Sequence, residues 1–252
     1  MLPATYKWTR TNIQRANLSN DYFTNRQDRY HVFSCARLTD YYERIHNTVC
    51  SISYRVMPGP KEMSGYVLDW PKSNPAPVPV DEPSRFKQAA TALLGPLIQP
   101  LATAGNEVSH GAKTVVYPVG QFTPLMQPDT STEQPALATV LGALANENAE
   151  GSKWVLTAGY FNILPHLKGL LLNSRSIGTV VTAAPEANGF YGSKGISNML
   201  PPAYTLLSKR FLQDVIKLGK ERNITIREWK KGVHGQDPDA WTYHAKGLST
   251  QT

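Results

Sequence analysis

The stretch Trp154–Ala183 reads WVLTAGYFNILPHLKGLLLNSRSIGTVVTA, and its reading decides the fold class. Trp154–Phe161 (WVLTAGYF) is rich in aromatic and β-branched residues, the composition of a strand. Pro165–Leu172 is a short helix with proline in the first turn, where a missing N–H costs nothing. Ile177–Ala183 (IGTVVTA) is a second, buried strand. Strand, helix, strand at this spacing predicts an α/β fold with a largely parallel sheet, whose functional residues gather at strand ends.

The same rhythm extends outward. Downstream, Ala203–Arg222 carries Leu206, Leu207, Phe211, Val215 and Leu218 at helical spacing, and Asn223–Trp229 follows as a strand. The basic turn Lys230-Lys231-Gly232 comes next, and Tyr243–Leu248 begins one more strand. Upstream, the pattern predicts a helix over Ser131–Asn148, a strand over Thr114–Tyr117, and a helix over Phe86–Leu101 interrupted by Gly95 and Pro96. Seven prolines between Pro58 and Pro83 remove backbone donors and favour extended neighbours, which reads as a linker or long surface loop. Three zones follow: residues 1–57, the proline-rich 58–83, and 84–252.

Composition excludes several classes. With 41% hydrophobic and 18% charged residues the chain is globular, not disordered. The net charge of +7 points to an anionic partner such as a phosphate, nucleic acid or acidic membrane surface. The two cysteines, Cys35 and Cys50, make no disulfide framework, and no Cys/His cluster suggests a metal. No run of about 18 apolar residues, the length of a spanning helix, is present; the best stretch, Tyr160–Leu172, is broken by Asn162, Pro165, His166 and Lys168.

Chemistry concentrates at Trp241-Thr242-Tyr243-His244-Ala245-Lys246-Gly247-Leu248. On a strand, residues two apart face one side, so His244 and Lys246 are expected to project together. An imidazole can act as nucleophile or proton carrier at neutral pH, with an ammonium beside it to hold a phosphate oxygen. Taken alone, the tripeptide also fits an exposed face at a strand end.

Longer strings add specificity. ANLSNDYFTNRQDRY (16–30), TAGYFN (157–162), PEANGFYGSKG (185–195) and YHAKG (243–247) together resemble the mitochondrial phosphatidylglycerophosphate synthases of the phospholipase D superfamily, in the same order along the chain. The resemblance implies two similar α/β halves facing each other. Each supplies a His-x-Lys pair and an asparagine to a shared site. It also implies the reaction: a histidine attacks the phosphorus of CDP-diacylglycerol and expels CMP. Glycerol 3-phosphate then takes the phosphatidyl group, while the opposite histidine handles protons. The lysines and asparagines stabilise charge on the phosphoryl oxygens, with no metal or other cofactor required and no nucleic acid as partner. A peripheral place on the mitochondrial inner membrane, against its anionic surface, is implied by the resemblance alone.

On this basis His244 and Lys246 are the catalytic candidates. Asn17, Arg26, Arg29, Asn162, Glu186 and Asn188 are the candidates for substrate binding, with Asp28 orienting an arginine. Each has a plainer alternative: Asn17 as a helix cap, the 25–30 segment as a surface ion-pair cluster, and Gly189, Gly192 and Gly195 as a tight turn around Glu186 and Asn188. The chain departs from the pattern at both ends. Met1–Arg15, where the first half's His-x-Lys is expected, has no histidine and no acidic residue, and the acidic position seven past His244 falls on Gln251. The sequence therefore reads as a piece of a longer synthase: the end of a first half (1–57), a linker (58–83) and a shortened second half (84–252). Trace activity at most and poor solubility are expected of it. A non-catalytic binder of CDP-diacylglycerol or anionic lipid that keeps half a site is the competing reading, and a superfamily nuclease or phosphodiesterase is a third, disfavoured by the long strings.

Overall fold

The computed structural model describes residues 10–14, 19–99, 114–145 and 151–251. In chain order these form β1 (Arg10–Gln14), α1 (Asn20–Thr24), β2 (Arg26–Gln27), β3 (Tyr30–Ser34), α2 (Ala36–Ser51), β4 (Arg55–Pro58), β5 (Tyr66–Asp69), α3 (Pro83–Ile98) and α4 (Glu133–Ala143). They continue with β6 (Lys153–Ala158), α5 (Pro165–Leu172), β7 (Ile177–Ala183), α6 (Leu200–Lys217), β8 (Ile224–Trp229), β9 (Thr242–Tyr243) and β10 (Lys246–Gln251). Two compact units result, one built on residues 33–136 and the other on 12–32 and 137–251. These boundaries differ from the three zones expected from composition.

In the first unit, Phe86, Ala90, Leu94 and Ile98 recur every fourth residue along α3 and bury one stripe with Ile52, Ala76 and Met126. Pro83 opens α3 at its tolerated position. The helix runs through Gly95 and Pro96 instead of breaking there, because Leu94, Gly95 and Ile98 are buried against this core. The proline-rich segment carries local structure. Val56–Leu68 lies within an antiparallel hairpin of β4 and β5. Beyond it, Trp70 donates its indole N–H to the Ala76 carbonyl at 3.2 Å and packs edge-on to Phe86. A large indole with a local acceptor anchors the segment where composition suggested a spacer. Thr114–Tyr117 forms no strand; Val115 and Tyr117 are exposed, and no described strand supplies a ladder to them.

The second unit is the α/β core. Its sheet has the order β10-β6-β7-β8, with β6, β7 and β8 parallel and β10 antiparallel to β6 at the edge. The β6–α5–β7 unit matches the sequence expectation, with α5 and β7 at the expected bounds. Along β7, Gly178, Val180 and Thr182 are buried, Thr179, Val181 and Ala183 are half-buried and Ile177 is exposed. One face of the sheet packs Trp154, Val180 and Ile224 against Leu167 and Leu171 of α5 and Phe211 and Val215 of α6. The other face shows Val155 and a Thr179–Thr225 hydroxyl pair to the outside. Gly178 is dictated by this packing, since a Cβ there would fall on the Trp154 indole. Ser152, Ser174 and Ser176 are buried under the sheet's lower edge and satisfy one another, the Trp154 indole and the Leu144 carbonyl.

Candidate active site

The three parallel strands point their C-terminal ends at one edge of the sheet, and the expected chemistry assembles there. Lys246 at the start of β10 pairs with Ala158 at the end of β6. β2 runs parallel to β9, with Arg26 opposite Thr242 and Gln27 opposite Tyr243. His244 therefore hangs from two sides. Its N–H donates to the Gln27 carbonyl at 2.8 Å, and the next carbonyl, of Ala245, accepts from Gly159 N at 3.2 Å. Gly159 permits this approach, because a Cβ there would strike the Tyr243 carbonyl.

His244 and Lys246 do not share one strand. His244 and Ala245 lie in the break between β9 and β10, so the alternation argument does not apply. The two side chains meet nonetheless. Lys246 Nζ lies 2.9 Å from each ring nitrogen and 2.8 Å from the His244 carbonyl oxygen, to which it donates. The two nitrogens' in-plane axes diverge, so an ammonium equidistant from both sits over the ring rather than in line with either. A second His-x-Lys string, His166-Leu167-Lys168, shows what spacing alone is worth. It lies on α5, where residues two apart diverge, and Lys168 pairs with Asp214 at 2.8 Å.

The imidazole has a carboxylate partner that sequence reasoning assigned elsewhere. Asp28 Oδ2 lies 2.9 Å from His244 Nδ1, and Asp28 Oδ1 accepts from the Arg29 N–H at 2.8 Å. The Asp28 side chain is 1% exposed, so it orients the histidine, not an arginine. A carboxylate only accepts, which places the imidazole proton on Nδ1 and leaves the Nε2 lone pair for chemistry. Tyr22 stands edge-on to the ring with its hydroxyl 3.4 Å from Nδ1, and Tyr160 presents an edge at 5.6 Å between centroids. Burial among these groups holds the His244 pKa below its ordinary value; the Asp28 carboxylate opposes this, and the Lys246 and Arg26 charges add to it. The imidazole is accordingly neutral at pH 7, the form in which it can attack.

The other candidates divide. Arg26 belongs to the cluster: its Nε donates to Thr242 Oγ1 at 2.8 Å and its guanidinium lies 4.6 Å from the Tyr22 ring centroid. Arg29 lies over Gly247, beside Lys246, and its charge opposes the burial-driven rise of the Tyr243 pKa. Asn162 is exposed on the loop after β6. Glu186 is engaged by Lys230 at 2.9 Å, and that partnership lowers the Glu186 pKa. Asn188 is 2% exposed and accepts from the Phe190 N–H at 3.0 Å. It shapes the loop that brings Phe190 against Tyr160. Asn17 lies outside the described residues. Asp28, Tyr22 and Tyr160 are the residues of the cluster that sequence reasoning did not select as site residues, although all three stand inside the diagnostic strings. Among the described residues no group of three or more His, Cys, Asp or Glu is arranged to hold a metal ion, and no helix is long and apolar enough to cross a membrane.

No family model matches the chain. Individual proteins do. It is 45% identical to a CDP-diacylglycerol–glycerol-3-phosphate 3-phosphatidyltransferase of Saccharomyces pastorianus, over 94% of this chain and 45% of that protein. The Saccharomyces cerevisiae protein of the same name is 43% identical over the same shares. The Homo sapiens protein, whose name adds "mitochondrial", is 31% identical over 94% of this chain and 43% of its own length. The chain thus spans a little under half the length of the curated relatives it matches. In structure it resembles the phosphatidylserine synthase of Haemophilus influenzae with a TM-score of 0.56 at 19% identity, over 96% of this chain and 50% of the other. That likeness bears on fold alone. Over 94% of its length the chain is thus similar to proteins named CDP-diacylglycerol–glycerol-3-phosphate 3-phosphatidyltransferase.

Proposed function

We propose that this chain carries one half of a phosphatidyltransferase site that makes phosphatidylglycerophosphate from CDP-diacylglycerol and glycerol 3-phosphate. The observation that carries the reading is the Asp28–His244 pair, a buried carboxylate on Nδ1 of a neutral imidazole with the Lys246 ammonium beside it. Nε2 attacks the phosphorus that bears the diacylglycerol. A P–N bond forms, the P–O bond to CMP breaks, and CMP leaves with the electron pair. Asp28 stabilises the positive charge that the imidazole gains, as in other carboxylate–histidine pairs. Lys246 and Arg26 lie where negative charge builds on the phosphoryl oxygens. The primary hydroxyl of glycerol 3-phosphate then attacks the same phosphorus and returns the electron pair to Nε2, and its proton passes to a base.

In this reading two similar halves face each other, and a second His-x-Lys pair carries the protons of CMP and glycerol 3-phosphate. Met1–Arg15 contains no histidine. Asn17, Arg29, Asn162, Glu186 and Asn188 line or shape the approach to the phosphorus. The location is mitochondrial, as in the names of the mammalian relatives, with peripheral contact to an anionic membrane and no nucleic-acid partner. The test is release of CMP from CDP-diacylglycerol by the chain and by His244→Gln. A slow release abolished by the substitution supports the reading. Binding of CDP-diacylglycerol with no CMP release, or release indifferent to His244, refutes it.

A further inference from the structure

Gly189 stands in the loop after β7, half-buried and without the left-handed φ that would call for glycine. Its surroundings explain the missing side chain. A Cβ there would lie 3.2 Å from Arg26 Nη2 and 3.2 Å from the Tyr160 hydroxyl. Glycine therefore keeps open a space that two hydrogen-bond donors face. The loop around it is held in shape: the buried Asn188 side chain accepts from the Phe190 N–H at 3.0 Å, and the Asn188 carbonyl accepts from the Tyr191 N–H at 3.0 Å.

Both donors are fixed from behind and keep hydrogen-bonding capacity. Arg26 Nε donates to Thr242 Oγ1 and the guanidinium lies over the Tyr22 ring, which sets the plane of the fork. Among the described residues its carboxylate partner is Asp21, 3.5 Å from Nη2 and 57% exposed, a contact that water weakens. Tyr160 is wedged between Tyr204, stacked at 5.2 Å between centroids, Phe190 at 6.0 Å and the edge of the His244 ring. Burial raises the Tyr160 pKa against the Arg26 charge and the hydrogen bond from the Gly189 backbone, so the hydroxyl is protonated at neutral pH. A hydroxyl that accepts from Gly189 still has its own proton to donate.

We infer that Arg26 Nη2 and Tyr160 Oη, facing the space left by Gly189, form a subsite for the second phosphate of CDP-diacylglycerol, the one that departs with CMP. The inference deepens the proposed reaction and rests on it for one point only, that a pyrophosphate is split beside His244. The Tyr160 ring touches His244 and has Lys246 Nζ 5.9 Å from its centroid, so the subsite adjoins the imidazole, as two phosphates sharing one bridging oxygen require. When the P–O bond breaks, the departing phosphate gains negative charge. A guanidinium and a hydroxyl already in place stabilise that charge without reorganising. Phe190, next in sequence and 38% exposed, offers a ring face to the cytosine. Glycerol 3-phosphate, the other phosphate in the reaction, has no group to use it.

The test is equilibrium dialysis of the full chain against CMP, cytidine or glycerol 3-phosphate, with no CDP-diacylglycerol present. The subsite gives binding of CMP, with cytidine weaker by about tenfold or more for want of the phosphate. Tyr160→Phe keeps the ring and its packing, and it weakens CMP by about tenfold or more, as loss of one hydrogen bond to a charged group does. Gly189→Ala puts a methyl into the space and has the same effect. Both variants bind cytidine as the wild type does, and Tyr66→Phe, on the exposed β5 of the first unit, leaves CMP binding unchanged. Circular dichroism and thermal unfolding show that the variants fold; if Gly189→Ala does not, Tyr160→Phe decides. Absent CMP binding overturns the inference, as do equal affinities for CMP and cytidine or CMP binding indifferent to Tyr160→Phe. Glycerol 3-phosphate bound in place of CMP, and lost in Tyr160→Phe, overturns the assignment to the leaving group. Because dialysis needs no turnover, absent CMP release would defeat the proposed reaction and leave the subsite standing, whereas release that proceeds unchanged in Tyr160→Phe would overturn the subsite alone.

Discussion

Replacing Asp28 by Asn is the sharpest perturbation of the site. The carboxylate is buried, accepts from His244 Nδ1 at 2.9 Å, and is held by the Arg29 N–H. Asn keeps the shape but removes the charge, and it can present either an acceptor or a donor to Nδ1. A hydrogen bond to a charged group contributes about 1.5–3 kcal/mol, and in the proposed reaction the imidazole becomes cationic as it attacks. The expected loss in the rate of CMP release is therefore about ten- to a hundredfold. The pH profile moves as well. Asp28 raises the His244 pKa against burial and the Lys246 and Arg26 charges, so its removal lowers that pKa further. The acid limb of the profile then shifts to lower pH while the plateau falls. The assay is single-turnover CMP release across pH, with thermal unfolding as a check on folding. A variant within about threefold of wild type, or an acid limb that moves to higher pH, refutes the role given to Asp28.

Further expectations concern neighbouring groups. Lys246→Met should lower CMP release about a hundredfold, as removal of one stabilising donor typically does, whereas Lys168→Met in the other His-x-Lys string should leave it intact; equal losses would show that the α5 string matters. Gly178→Ala should destabilise the chain by about 1–3 kcal/mol in urea unfolding, because the added methyl meets the Trp154 indole; unchanged stability would place the indole elsewhere. The lowered His244 pKa means that the folded state binds fewer protons than the unfolded one, so stability rises with pH. That contribution is present above the unfolded value of about 6.5 and is lost as pH falls from there toward the folded pKa. His244→Gln should flatten this part of the stability profile, and an equally steep profile in the variant would contradict the shift. Glu186→Gln, which removes a surface ion pair with Lys230, should cost at most about 1 kcal/mol and leave the imidazole's pH profile in place.

Much of the second unit was legible because its signals are local. Proline at the start of α5 and the β-branched run of β7 gave both elements at their observed bounds. Thr114–Tyr117 has the same β-branched character but no partner strand among the described residues, and pairing, not propensity, makes a strand. The proline-rich segment misled for a related reason. Composition describes the backbone's freedom, yet Trp70, with its indole bonded to Ala76, decides where that segment goes. At the site, His244 and Lys246 were found by spacing for a reason the structure does not use, since a break in the strand and the carbonyl of His244 itself bring them together. Asp28 was hidden by distance along the chain. The parallel register of β2 on β9 alone carries it to His244, and nothing in its own neighbourhood announces a histidine.

Attack on phosphorus by Nε2 requires a covalent phosphatidyl-histidine. Incubation with CDP-diacylglycerol labelled at the phosphorus retained by the lipid, followed by rapid quench at alkaline pH and peptide mass mapping, looks for it directly. The mechanism predicts the label on the peptide that contains His244, absent from His244→Gln and discharged by glycerol 3-phosphate. CMP release with the label on any other residue, or with no labelled peptide while release proceeds, would contradict it.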